Sequence, residues 1–170
     1  SISPIDVLLN KISAAGFMVE EVTGRQSRIK FTDETFLQGI YEFRNKPSTT
    51  DTFAAFNENR IDCLLINQSG AVGASIHAKP NKVVNHVRYR SADGHSYETV
   101  PWTKALDQSR IAVPNSLTPR NEIKQRVMIM LQSELNINTE VQKRGRIFRS
   151  GQVLPPMFEY LTSAIPAEMR

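Results

Sequence analysis

Apolar residues recur with helical spacing over the first fifteen positions. Ile5, Leu8, Leu9 and Ile12 fall on one face, Ser3 stands at a capping position, and Pro4 suits a first turn. The pattern predicts a helix to about Ala15, ended by Gly16. The period then shortens: Phe17–Val22 reads as a strand, Thr23-Gly24-Arg25 as the loop at its end, and Arg28–Phe31 as a second short strand. Over 33–46 the pattern weakens, and a helix from Glu34 to Phe43 is the nearest fit before Pro47 interrupts it. Thr50 or Asp51 can start a short helix with Phe53, Ala54 and Phe56 facing inward. Ile61–Ile66 is nearly continuous in apolar character, as in an interior parallel strand covered on both faces.

That run leads into Asn67-Gln68-Ser69-Gly70-Ala71-Val72-Gly73-Ala74-Ser75, which an open α/β fold would deliver to the carboxyl edge of its sheet. The glycines and serine could turn backbone N–H groups toward an anion, or simply form a tight strand-to-helix turn. The rhythm is then lost over 79–119, which reads as an excursion from the core. Val83–Tyr89 and Ser96–Val100 can pair as a hairpin around Asp93-Gly94. Arg88, Tyr89, Arg90 and Trp102 suit backbone contact and base stacking on nucleic acid, and the aromatics suit equally well the task of folding the excursion onto the domain.

The rhythm returns with Arg126–Leu131, read as a buried strand. A helix follows from about Glu140, capped by Asn138 or Thr139, that would carry Gln142, Arg146 and Arg149 on one cationic face. Arginine forks in such a place can hold phosphoryl oxygens in two-point contacts; the plainer reading is a solvated basic helix. Pro155-Pro156 breaks the chain, and Met157–Leu161 is a further strand.

Composition is that of an ordinary globular domain, with 40% hydrophobic and 22% charged residues in 170, enough for one domain. No apolar run approaches a membrane span, and Ser1-Ile2-Ser3-Pro4 does not begin a signal peptide. A cytoplasmic or nuclear place, in a cellular or viral protein, is therefore expected. The lone Cys63 sits in an apolar run and reads as a small buried side chain. His77, His86 and His95 have no companion cysteines and no compact ligand spacing, so no metal is expected. Charge is unevenly placed: residues 1–78 carry 7 basic and 9 acidic side chains, and residues 79–126 carry 9 and 4. That concentration favours a polyanionic partner. The abrupt end at Arg170 suggests a fragment of a longer protein.

Two stretches together resemble a known family. Leu64–Ala78, with Asn-Gln-Ser-Gly-Ala-Val-Gly-Ala-Ser-Ile-His-Ala, resembles motif V of superfamily 2 helicases, and Gln142-Lys-Arg-Gly-Arg-Ile-Phe-Arg-Ser-Gly-Gln152 resembles their motif VI. The likeness is nearest to the C-terminal helicase domain of the strawberry notch family, with Swi/Snf-type remodelling translocases as the rival. The resemblance implies an α/β, three-layer RecA-like second motor lobe with a mainly parallel central sheet. ATP and Mg²⁺ would be held mainly by a first lobe, whose Walker A loop is absent here. It further implies Arg149 as the arginine finger, with Arg146 and Gln142 beside it, and Gly70, Val72, Gly73 and Gly145 along the nucleotide cleft. Ser69, Thr23, Gly24 and Arg25 would lie on the nucleic acid, DNA first and RNA as the alternative; the likeness leaves 79–119 unmatched, and Arg88 and Arg90 join them only on the excursion's own chemistry. The isolated lobe would not hydrolyse ATP. An inert binding module with a helicase-like fold, or an unrelated α/β enzyme with another phosphate ligand, are the competing readings.

Overall fold

Ser3 caps the first helix, α1 (Pro4–Ala14), as its position predicts. Its hydroxyl accepts from the Ile5 N–H, and the Asp6 carboxylate accepts in return from the Ser3 N–H. The computed structural model describes residues 3–33, 35–67, 70, 73–104, 120–132 and 136–161. The chain divides into two units, Ser1–Ala74 and Ser75–Arg170.

In the first unit α1 is followed by β1 (Val19–Val22), β2 (Ser27–Phe31) and β3 (Gly39–Phe43). The last of these overturns the helix expected over Glu34–Phe43. Ile40, Tyr41 and Phe43 are β-branched or aromatic and favour a strand. Gly39 also permits the chain to close on β2, since a Cβ there would fall 2.6 Å from the Ile29 side chain. β2 and β3 pair antiparallel, from Ser27 opposite Phe43 to Phe31 opposite Gly39. α2 (Thr49–Asn57) is capped by Ser48, whose hydroxyl accepts from the Asp51 N–H. It buries Thr52 and Ala55, whereas Ala54, expected to face inward, is exposed. β4 (Cys63–Ile66) runs parallel to β1, Val19 opposite Cys63 and Val22 opposite Ile66. Cys63 is half-buried, and burial, aided by the Asp62 carboxylate, pushes its thiol pKa up.

The second unit begins its regular structure with the hairpin β5 (His86–Arg90) and β6 (Tyr97–Pro101). Its turn is held by the Asp93 carboxylate, which accepts from the N–H groups of His95 and Ser96 at 2.8 and 2.9 Å. The stretch read as an excursion supplies core: Val84, Val87 and Tyr89 cluster with Ala78, Ile123 and Leu154, and Trp102 packs against them. β7 (Val127–Met130) and β8 (Met157–Tyr160) then pair in parallel. Between them α3 (Ile137–Arg144) starts earlier than expected because Asn136, rather than Asn138 or Thr139, provides the cap.

The RecA-like reading is overturned by this topology. The strands pair two by two, β1 with β4 and β7 with β8 in parallel, β2 with β3 and β5 with β6 antiparallel; no ladder joins these pairs among the described residues. The physical reason lies in burial. An interior strand of a parallel sheet is covered on both faces, but β4 is only part-buried at every position, and β7 alternates, with Val127 49% and Ile129 51% exposed. A three-layer domain with one mainly parallel central sheet is therefore not formed. The superfamily 2 and strawberry notch resemblance, the role of a helicase or translocase lobe, the Swi/Snf-type rival and the inert module of helicase-like fold fall with it, because each requires that sheet to carry its motifs.

Candidate anion-binding site

The two stretches that carried the resemblance are placed differently. β4 leads to Gly70, which approaches β1 so closely that a Cβ would stand 2.0 Å from the Val22 carbonyl oxygen. Its N–H donates to the Asn67 side chain at 2.9 Å. The demand for glycine is thus met by close packing within the first unit. Gly73 is exposed with φ +78, a conformation that glycine adopts freely. Ser69 and Val72 lie outside the described residues.

The loop Thr23-Gly24-Arg25 is fastened inward. The Arg25 guanidinium donates to Asp6 at 2.9 Å and to Glu21 at 2.7 Å; the Thr23 hydroxyl bonds Glu21, and the Gly24 carbonyl accepts from the Lys46 ammonium. Arg44 adds a second guanidinium at 3.2 Å from Glu21. Burial acts to raise the Glu21 pKa, but the hydrogen bonds from Arg25 and Thr23 and the charges of Arg44 and Arg25 outweigh it, so the carboxyl is held below its ordinary value. Asp6 is lowered in the same way, chiefly by Arg25 against burial, and Arg25 is raised chiefly by Glu21. This interlocked group was invisible in the sequence because its members lie on α1, β1, the following loop and the end of β3.

The arginines of the second unit are divided between structure and surface. Arg88 is ion-paired at 3.1 Å with Glu122, which is 1% exposed and also accepts from the Thr99 hydroxyl. Arg90, two residues on, is exposed. Tyr89 belongs to the core cluster and Trp102 packs against it, so both contribute to folding this stretch onto the second unit.

α3 ends at Arg144, with Gly145 as its C-cap, so Arg146 and Arg149 do not share a helical face with Gln142. Gln142 lies exposed on the helix. Arg144 is spent on Glu140 and Tyr160. Beyond the cap a tight turn continues: the N–H groups of Arg146 and Ile147 donate to the carbonyls of Lys143 and Arg144, and Ile147, 3% exposed, anchors it. Arg149 is exposed; its Nε donates to the Gly145 carbonyl at 2.7 Å, and its N–H to the Gln152 side chain at 3.1 Å.

This turn is stitched to Ser75–Ala78, the tail of the glycine-rich stretch. The Ile76 N–H donates to the Arg146 carbonyl at 3.1 Å, and the Val153 N–H to the Ala78 carbonyl at 2.8 Å. Arg126, at the foot of β7, closes a third side: its Nε donates to the Ile76 carbonyl at 3.0 Å, and burial lowers its pKa to about 10. Between these contacts sits His77, 8% exposed, its Nδ1 3.3 Å from the Ser75 hydroxyl and its Nε2 buried without a hydrogen-bond partner. Burial lowers its pKa, and so do the charges of Lys79, Arg149 and Arg126.

The sequence assigns Arg146 and Arg149 to a nucleotide cleft, whereas here the Arg146 backbone carbonyl holds Ile76 and the Arg149 charge acts on His77; His77 and Arg126 carry no site role in the sequence pattern. The signal for His77 was a polar ring between Ile76 and Ala78, two residues that a packed interior would claim. Chemically the cluster offers guanidinium, ammonium and imidazole donors, a set suited to oxyanions. Among the described residues no group of three His, Cys, Asp or Glu could hold a metal ion, and no helix is long and apolar enough to cross a membrane. Comparison of the chain with protein-family models, with curated proteins and with solved structures gives no match.

Proposed function

We infer that the second unit, Ser75–Arg170, binds a phosphate-bearing polyanion of the nucleic-acid class, DNA or RNA. The observation that carries this reading is that Arg126 bonds the Ile76 carbonyl beside the buried His77, on whose ring the charges of Lys79, Arg149 and Arg126 all act. Charge balance supports it: the unit holds 14 basic and 8 acidic side chains, a balance of +6, against 7 and 9 in Ser1–Ala74. The exposed cations Lys79, Lys82, Arg90 and Arg149 are distributed along the unit's chain rather than confined to one motif. Such a distribution suits a backbone with repeated charges, which gains affinity from each neutralised phosphate through counterion release.

The test is fluorescence anisotropy of labelled single-stranded DNA, duplex DNA and RNA of one sequence, titrated with the chain over a range of salt. Binding should weaken linearly on a log–log scale, by about 0.9 in slope for each duplex phosphate contacted. Arg149→Gln should flatten that slope by about one contact. Absence of binding to all three, or binding indifferent to salt, would overturn the reading.

A further inference from the structure

We propose that His77 is the inner donor of an oxyanion subsite formed with Lys79, Arg126 and Arg149, and that it takes up a proton when a phosphate or sulfate group binds. The inference rests on the polyanion reading above and deepens it by naming the place where one phosphate is gripped. Two geometric facts lead to it, and the charge around the ring agrees with them. His77 is more than nine-tenths buried, yet its Nε2 has no hydrogen-bond partner, and such an atom costs free energy unless a ligand engages it. Its backbone is clamped on both sides, with Ile76 held to Arg146 and Arg126 and Ala78 held to Val153, so the ring cannot readily be relieved by moving the chain. Among the described residues, the charged groups acting on the ring from its own segment, from the foot of β7 and from the turn after α3 are Lys79, Arg126 and Arg149, all of them cationic.

The protonation follows from electrostatics. Without a ligand, burial and the charges of Lys79, Arg149 and Arg126 favour the neutral imidazole, lowering its pKa from the ordinary 6.5. An oxyanion among the same groups reverses the sign of the local field and favours imidazolium, which then donates from Nε2. By linkage, whatever raises proton affinity on binding makes binding tighter as pH falls. A permanently charged arginine site has no such dependence in this range.

Inorganic sulfate is the probe, because it does not itself titrate near neutrality. Sulfate binding to the whole chain, followed by calorimetry, should tighten by roughly fivefold or more from pH 7.5 to 5.5, since one proton taken up allows up to about tenfold per pH unit. His77→Gln retains an amide donor but cannot titrate. It should still bind sulfate, with the pH dependence gone. In the wild-type chain the ring nitrogens of His77, followed by ¹⁵N NMR near pH 6.5, should shift toward the imidazolium position as sulfate is added, and this needs no variant to fold.

An unmoved His77 resonance, or the same pH dependence in His77→Gln, would overturn the subsite. If DNA nevertheless binds with the expected salt slope, the polyanion reading stands and only the subsite fails. If sulfate binds at His77 with proton uptake while no nucleic acid binds, the subsite stands and the polyanion reading fails.

Discussion

The guanidinium of Arg44 lies 3.2 Å from the carboxylate of Glu21, and both side chains are almost wholly buried, at 6% and 2% exposure. Arg44 also donates to the Glu21 and Arg25 carbonyls at 2.9 and 3.0 Å, so the end of β3 is tied to β1 and to the loop after it by one side chain. Glu21→Ala would leave two arginines facing each other without their shared carboxylate. Loss of one partner from a buried pair costs about 3–5 kcal/mol. Urea unfolding should show that loss; a midpoint equal to wild type would mean that the cluster does not hold the unit together.

Acid should act on the same group. Asp6 and Glu21 both have folded pKa values below their ordinary ones, so each contributes stability that is complete above its unfolded pKa. That contribution declines as pH falls below about 4.5 and is lost once pH passes the lowered folded value. Thermal unfolding of the chain across this range should show the decline, and Glu21→Gln should flatten it. An unchanged profile in that variant would assign acid sensitivity elsewhere.

Arg88 and Arg90 provide a matched comparison two residues apart on one strand. Arg88→Ala removes a cation from the buried Glu122 carboxylate and should destabilise the chain by about 3 kcal/mol, whereas Arg90→Ala, at an exposed position, should change stability by less than about 0.5 kcal/mol and weaken nucleic-acid binding instead. Circular dichroism melts and anisotropy on the two variants would check this. A reversal, with Arg90 the structural residue, would contradict the ion pair.

Gly70→Ala should be poorly tolerated. Its added methyl group would meet the Val22 carbonyl at 2.0 Å, a backbone contact that no rotamer relieves. The resulting shift in chain path should cost at least about 2 kcal/mol. Gly73→Ala should cost less, about 1 kcal/mol, because only its positive φ opposes a side chain there, with nothing within 4 Å of the added carbon. Equal effects at the two positions would argue against the close approach of Gly70 to β1.

What the sequence revealed was local. The Ser3-Pro4 start of α1 and the Asp93-Gly94 turn of the β5–β6 hairpin depend on neighbours within a few residues, and both are found where the pattern puts them. β3 was missed because the signal for a helix over 34–43 was weak and the decisive fact, pairing with β2, is a tertiary one. The motif-like arginines misled for a related reason. A spacing of three and four residues puts Gln142, Arg146 and Arg149 on one face only if the helix continues, and Gly145 ends it. Burial on both faces of β4 and β7 could not be inferred from their apolar runs, since half-covered pairs in a small unit can show the same composition.

The bond from Arg126 to the Ile76 carbonyl joins residues 50 positions apart, which makes the basic cluster a product of the completed second unit. An unfolded chain has the same cations but not their convergence. A ligand that selects the converged form adds RT ln(1 + [L]/Kd) to folding, about 2.7 kcal/mol at a hundredfold excess over Kd. Sulfate or DNA would then raise the melting temperature in proportion to the logarithm of its concentration, and the stitching of Ile76, Arg126 and Arg146 turns occupancy of the site into a measure of how completely the chain has folded.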